Sequence, residues 1–378
     1  VAPNTFKYPG AAIIGKRAAS VSDASAPITK GAVAKPDEVE EADFSVISLG
    51  SHRTAWVLEK GGLPAAASSS VEVSKQGADL MPRTAVCVEV LDDTGAEYRV
   101  TTPSAGTPWA FTVKQPKKLK DEKFPGYVSP DYLFEIAQSE NLLPFIFGPH
   151  RAPIVIPARK QSDGTWLIQD HSEIRRSGHR QTALRFKQIN DKLAEIGESN
   201  DLQTRIDVRF KLTNQNLGDE GYLVLSGAGG TYICAACLPV SEASKLVIDQ
   251  TLYWQVVIDP DDAWFRTGML NSSALTEAIL PFNPEGDFGP RHIHTLPYRV
   301  MPPFDSSNAN HVAIAEQARA VAARAQGIFI SDRYISDPEK SLSVRRRKLR
   351  QSLSQESIMV ELERLCAVAL GVEVDTTS

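Results

Sequence analysis

The residues best suited by type and spacing to hold an ion are His292 and His294, one residue apart in FGPRHIHTLPYRVMPPFD, residues 288–305. On a strand the side-chain period of two puts both imidazoles on one face, within reach of a single cation, and His311 or Asp305 offers a third ligand. A mononuclear catalytic site needs three converging protein ligands, and H-x-H supplies two. Packing or polar contacts are therefore the preferred reading of these imidazoles, with a metal-dependent hydrolase the weakest of the functions considered. Cys234 and Cys237 form a C-x-x-C, but the residues between them in ICAAC are apolar and no second pair completes a tetrahedral set. Both are expected as buried strand residues.

Two further patterns bear on anions. SGAGGTY, Ser226–Tyr232, is rich in glycine but lacks a lysine and does not match G-x-G-x-x-G, so a tight turn between strands is expected there. Positive charge gathers in KQPKKLKDEK (Lys114–Lys123), RRSGHR (Arg175–Arg180) and RRRKLR (Arg345–Arg350). Each run carries enough charge to pair with several phosphates, and each equally suits a solvated loop or helix end.

The framework holding these residues is that of a water-soluble protein. A chain of 378 residues exceeds the usual single core, so two or three domains are expected. Its 42% hydrophobic and 23% charged residues are ordinary for a globular protein, and no apolar stretch approaches the roughly 18 residues of a membrane span. Four cysteines are too few for a disulfide framework and suit a reducing cytoplasm, where the protein is expected. A net charge of −5 counts against a small autonomous DNA-binding module, although counterion release depends on the charges at the contact. The first methionine is Met81, and VAPNTFKYPG lacks the charged start and apolar core of a secretory signal, so the later part of a longer protein is expected.

Residues 1–43, rich in Ala, Ser, Val and Pro with an acidic DEVEEAD, read as a linker or extension. From Phe44 to Val113, FSVISL, TAVCVEVL and EYRVTT read as strands of an antiparallel sheet. SPDYLFEIAQSE, residues 129–140, opens with a serine cap and a first-turn proline and reads as a helix. A proline-broken extended run follows, then a hairpin around Ser162–Gly164. Gln181–Ile196 reads as an amphipathic helix with Leu184, Ile189, Leu193 and Ile196 on one side. IDVRFKLT, GYLVLSG, TYICAACLPV and LYWQVVID read as strands, DAWFRTGMLNSSALTEAIL as helices interrupted at Asn271–Ser273, and NANHVAIAEQARAVAARAQ and ESIMVELERLCAVALGV as a helical tail. The fold class expected is α+β: a mainly antiparallel β region over 44–305 with inserted helices, compatible with two β-rich lobes dividing near 175–200, and C-terminal helices over 306–378.

SKQGADLMPR, Ser74–Arg83, resembles the Q-G-A-x-x-x-P-R signature in the C-terminal, target-recognition half of adenine N-6 DNA methyltransferases of restriction-modification and phage-defence systems. In the same order, RIDVRFKLTNQNLGDEGYLVLSGAGGTYICAAC resembles their R-x-D-x-R-x-K-L-T-x-Q segment and its following turn. VIDQTLYWQVV resembles the next strand, GMLNSSALTEAILPF their leucine- and asparagine-containing helix, and FGPRHIHTLPYRVMPPFD their F-G-x-R, L-P and P-x-[FY]-D stretches. The resemblance covers about Phe44 to Ala325. The cofactor-binding glycine motif and the catalytic motif of that family belong upstream of Ser74 and are not present. MPPF, Met301–Phe304, is similar to the Asn/Asp-Pro-Pro-aromatic catalytic loop but opens with a methionine, which cannot accept hydrogen bonds from a target amino group; it reads as a stiff connector ahead of a helix at Asn308.

The resemblance implies that this chain holds double-stranded DNA and reads bases beside an adenine extruded by a catalytic domain or subunit, which binds S-adenosylmethionine; this chain itself then has no catalytic or cofactor-binding residue. Other defence-system subunits are further candidate partners, and no membrane is involved. Candidate base or groove contacts are Lys75, Gln76 and Arg83, with Gly77 admitting close backbone approach; candidate phosphate contacts are Arg151, Lys160, Arg175, Arg176 and Arg180. Arg291 and Asp207 are expected in internal salt bridges. A scaffold or adaptor is the alternative, in which the alanine face Ala313, Ala315, Ala318, Ala322 and Ala325 packs closely within the chain or against another subunit.

Overall fold

The computed structural model describes residues 74–104, 119, 122–280 and 296–372 in full, and elsewhere only the backbone of short strands. Among the latter, Pro27–Ala32 pairs antiparallel with Lys35–Asp43 inside the stretch expected to be an extension, and Ser45–Ser48 pairs with Thr54–Val57.

In chain order the main strands are β1 (Lys75–Gln76), β2 (Glu89–Asp93), β3 (Tyr98–Thr101), β4 (Gly126–Val128), β5 (Leu133–Ala137), β6 (Pro153–Val155), β7 (Ala158–Lys160), β8 (Trp166–Ile168), β9 (Tyr222–Gly227), β10 (Ala235–Pro239), β11 (Leu246–Ile248) and β12 (Leu252–Val257). The main helices are α1 (His171–Arg176), α2 (Arg180–Glu195), α3 (Leu202–Ile206), α4 (Pro260–Asn271), α5 (Ser273–Ile279), α6 (Ala309–Ser331), α7 (Leu342–Ser354) and α8 (Ser357–Ala369). The fold is α+β, with C-terminal helices. A four-stranded antiparallel sheet has the order β10-β9-β12-β1, and β2-β3-β4 form a second antiparallel sheet. A third sheet, β6-β5-β11, is mixed: β5 pairs antiparallel with β6 and parallel with β11.

The continuous apolar run YLVLSG marks β9 as a strand covered on both faces. Alternation sends Leu223 and Leu225 into a cluster with Leu142, Leu217 and Trp254, and Val224 into another with Phe265, Ile314 and Leu362. That second cluster ties the C-terminal helices to the sheet. Ala315, Ala318 and Ala325 of α6 are buried, and a side chain at Gly268 of α4 would lie 3.1 Å from the Ala318 Cβ and 3.2 Å from Ile314 Cγ2. The small residues thus let α4 and α6 approach closely within the chain.

Several expectations hold: the hairpin β7–β8, α2, β9, β10, β12, the break at Ser272 between α4 and α5, and the two tail helices. The buried side of α2 is Ala183, Phe186, Ile189 and Leu193, however, while Leu184 is half exposed. Residues 129–140 are not one helix. Ser129 caps a 3-10 turn at Pro130–Tyr132 as its type predicts, but the chain then enters β5, the middle strand of the mixed sheet, where LFEIA pairs on both sides. TAVCVEVL is likewise divided, with a helical turn at Arg83–Val86 before β2. RRRKLR falls inside α7 rather than in a loop or at a helix end.

Candidate nucleic-acid interface

Three segments distant in sequence meet at the corner between β11 and β12. The first carries Q-G-A-x-x-x-P-R. Gly77 N–H donates to Leu252 O (3.1 Å), Ala78 N–H donates to Ile248 O (2.7 Å), and Gln250 N–H donates to Ala78 O (2.7 Å). A Cβ at Gly77 would fall inside van der Waals distance of the Ile248 and Asp249 backbone, so only glycine fits. Within the chain, the close backbone approach that Gly77 allows is to Asp249 and Ile248.

Arg83, placed above among the groove contacts, is buried and forms an ion pair with Asp249 (2.9 Å) while donating to Gln138 Oε1. Asp249 in turn accepts from Thr251 N–H (3.0 Å) and Thr251 Oγ1 (2.8 Å). Arg83 is thus corrected to an internal fastening.

The second segment is R-x-D-x-R-x-K-L-T-x-Q. Gln215 is buried and bonds both backbone groups of Ile248: Nε2 donates to its carbonyl (2.7 Å) and Oε1 accepts from its N–H (2.9 Å). Lys211 Nζ donates to Gln76 Oε1 (2.7 Å), and Gln76 Nε2 donates to Gln250 O (3.0 Å). The third segment, VIDQTLYWQVV, supplies the corner itself. Gln250 Nε2 also donates to Asp79 Oδ1 (3.0 Å), and burial raises the Asp79 carboxyl above its ordinary value, with Asp249 adding to the effect.

What this knot leaves outside is cationic. β1 is the edge strand of the four-stranded sheet, and Lys75 on it is exposed with Nζ 5.1 Å from the centroid of Trp254, a cation–π geometry. Beside it lies a loop at IDVRFKLT, where the alternation of residue types predicts a strand. Val208, Phe210 and Leu212 recur at period two and so imitate a strand face. The Asp207 carboxylate overrides that pattern by accepting from Leu212 N–H and Thr213 N–H (both 2.9 Å) and from Thr213 Oγ1 (3.1 Å). Asp207 is thus a brace for backbone amides, and among the described residues it forms no salt bridge.

The turn so held puts Arg209 (φ 60°) and Phe210 (φ 58°) in the left-handed region, which costs non-glycine residues on the order of 1–3 kcal/mol each. Arg209 is exposed and Phe210 is 70% exposed. Burial lowers the Lys211 ammonium from its ordinary value, opposed by the nearby Asp79 carboxylate.

The remaining candidate cations do not gather at this corner. Arg151 is ion-paired with Glu135 (3.2 Å) and lies over the Phe147 ring. Lys160 donates to Ser244 O (3.4 Å), and burial lowers its ammonium. Arg175, Arg176 and Arg180 are exposed around the α1–α2 junction, where His179 and Arg159 approach Asp131 at 3.6 and 3.7 Å. Asp131 precedes β5 and Gln138, the partner of Arg83, follows it, so these cations and the Gln76 corner lie toward opposite ends of that strand.

Other candidates resolve as packing. Cys234 is buried, and burial pushes the Cys237 thiol up to about 12. The Ser226–Tyr232 turn joins β9 to β10, two antiparallel strands, whereas a glycine-rich cofactor loop runs from a strand into a helix N-terminus. His311 is buried against Phe265, its Nδ1 accepts from Asp305 N–H (3.1 Å), and burial lowers it; that nitrogen is not free to bind a metal. His292, His294 and Arg291, and most of Lys114–Lys123, lie outside the described residues. Among the described residues no group of three or more His, Cys, Asp or Glu is placed to hold a metal ion, and no helix is long and apolar enough to cross a membrane.

No family model and no curated protein matches the sequence. Among solved structures the chain is similar to the Type IIL restriction-modification enzyme MmeI in complex with DNA, at a TM-score of 0.50 and 13% identity. The match covers 89% of this chain and 38% of that one, so this chain spans well under half the length of its neighbour. At this identity the likeness is one of fold.

Proposed function

We propose that this chain is the sequence-specific DNA-recognition part of an S-adenosylmethionine-dependent DNA adenine N-6 methyltransferase of a restriction-modification or phage-defence system. The catalytic domain, with the cofactor, belongs to another part of the protein or to a partner subunit. The observation that carries this reading is the convergence at the β11–β12 corner. Three segments resembling that family's recognition half lock together there, leaving Lys75 and Arg209 exposed and Lys211 half-buried with its ammonium on Gln76. The likeness in fold to part of a restriction-modification enzyme solved with DNA supports it.

In this reading the lysines and Arg209 set position on phosphates. Gln76, whose amide is oriented by Lys211 and the Gln250 carbonyl, stands at the groove edge where an amide can read a base by paired hydrogen bonds. Arg175, Arg176 and Arg180 remain candidates for more distant phosphates.

The test is the salt dependence of binding to a mixed-sequence duplex of about 30 base pairs. Each phosphate contact contributes about −0.9 to the slope of log affinity against log salt, so Lys75→Ala with Lys211→Ala reduces the slope by about 2. A wild-type chain without salt-dependent affinity for the duplex defeats the proposal.

A further inference from the structure

We infer that Phe210 is a wedge that enters the base stack of bound DNA, with the Asp207–Thr213 loop as its mount; the inference rests on the DNA-recognition reading above. An apolar ring 70% exposed in water has no role in the core, and Val208 beside it is 40% exposed. The ring is not on a loose tip. Asp207 accepts three hydrogen bonds from Leu212 and Thr213, Phe210 N–H donates to Asp207 O (2.9 Å), and Asn214 N–H donates back to Phe210 O (2.9 Å). Two residues later Gln215 anchors the loop to β11 through both backbone groups of Ile248. A bulky aromatic residue held at φ 58°, next to another non-glycine residue at φ 60°, is backbone kept in an unfavourable region by surrounding bonds, an arrangement found where a side chain must be presented in a fixed direction.

The surroundings choose the occupant. Phe210 is flanked in sequence by Arg209 and Lys211, and Lys211 reaches Gln76, next to exposed Lys75. A polyanion with an apolar interior fits both the exposed ring and the cations that adjoin it in sequence, Arg209 and Lys211. Phosphates meet the cations, and the faces of the stacked bases offer the broadest apolar surface for an aromatic ring. Side chains that enter a stack are apolar wedges of this kind, and the work of unstacking is smaller where the stack is already interrupted.

The test compares two DNA probes with the full chain: an intact 30-base-pair duplex and the same duplex with a central abasic site, both followed by fluorescence anisotropy. The wild type is expected to bind the interrupted duplex about tenfold more tightly. Phe210→Ala is expected to lose that preference while the salt slope on intact duplex stays unchanged, and Phe210→Trp to keep the preference. Because the ring is exposed, thermal melting of Phe210→Ala should match the wild type, which excludes misfolding as the cause. If Phe210→Ala keeps the preference, or the wild type never shows one despite salt-dependent binding, the wedge is overturned and the DNA reading stands. If the wild type binds neither duplex, both fall.

Discussion

Arg83 and Asp249, 166 residues apart in the chain, face each other 2.9 Å apart inside the protein, and this pair turns a sequence signature into a fastening. It ties the segment after β1 to the corner joining β11 and β12. Removing one partner leaves a charge buried without its counterion, a loss of about 3–5 kcal/mol. Arg83→Met and Asp249→Asn should each lower the urea midpoint severely, and the double variant should lose less than the sum. Additive losses would mean that the two residues act independently.

Gly77 makes the same point through shape. Because a Cβ there meets the Asp249 and Ile248 backbone rather than a flexible side chain, relief requires β1 to move off the corner. Gly77→Ala is expected to destabilise by about 1–3 kcal/mol, the usual range for overpacking, and to weaken DNA binding by displacing Lys75 and Gln76. A Gly77→Ala chain with wild-type melting temperature and affinity would show that the corner is looser than its geometry.

The parts of the fold legible in sequence were those with one strong period. YLVLSG and the alanine-rich α6 each follow a single pattern over their length, and local propensity and tertiary packing agree there. SPDYLFEIAQSE misled because its first four residues do start a helical turn, and only pairing with Pro153–Val155 and Leu246–Ile248 makes the rest a strand. IDVRFKLT misled for the opposite reason: its period of two is genuine, but Asp207 finds better partners in the Leu212 and Thr213 amides. At the candidate site, residue type could name Lys75 and Gln76 as candidates but could not separate exposed cations from fastenings. Arg83, Arg151, Arg345 and Arg350 look alike in sequence, and their partners are Asp249, Glu135 and backbone carbonyls such as Glu140 O and Asn271 O.

His311 sets a pH dependence whose sign follows from its surroundings. Burial beside Phe265 and Phe304 lowers the imidazole, an effect the nearby Asp305 carboxylate opposes, and protonation of Nδ1 would break the bond from Asp305 N–H. A folded-state value below the unfolded one, about 6.5, means that the stabilisation is complete above that pH and is lost as pH falls through the folded value. The urea midpoint should therefore drop between pH 7.5 and 5. In His311→Asn, whose side-chain oxygen can accept the same N–H without titrating, the drop should be shallower. Identical pH profiles for the two proteins would remove His311 from the account.

The arginines of α7 give the sharpest contrast between a basic patch and a clamp. Arg346 donates to Leu142 O and Ser139 O (both 3.0 Å), and Arg350 donates to Asn271 O (3.1 Å) and Ile233 O while lying 5.1 Å from the Tyr232 ring centroid. Arg345 is buried and donates to Ile335 O (2.8 Å). These guanidiniums hold α7 against Ile233 ahead of β10, α4 and the Ser139–Leu142 turn, and hydrogen bonds from charged donors are worth about 1.5–3 kcal/mol each. Arg346→Ala and Arg350→Ala should accordingly lower the melting temperature by several degrees yet leave the salt slope of DNA binding unchanged. Arg347, exposed on the same helix, should be replaceable by alanine within about 0.5 kcal/mol. An Arg350→Ala chain that melts like the wild type but binds DNA with a smaller salt slope would turn the clamp back into a phosphate contact.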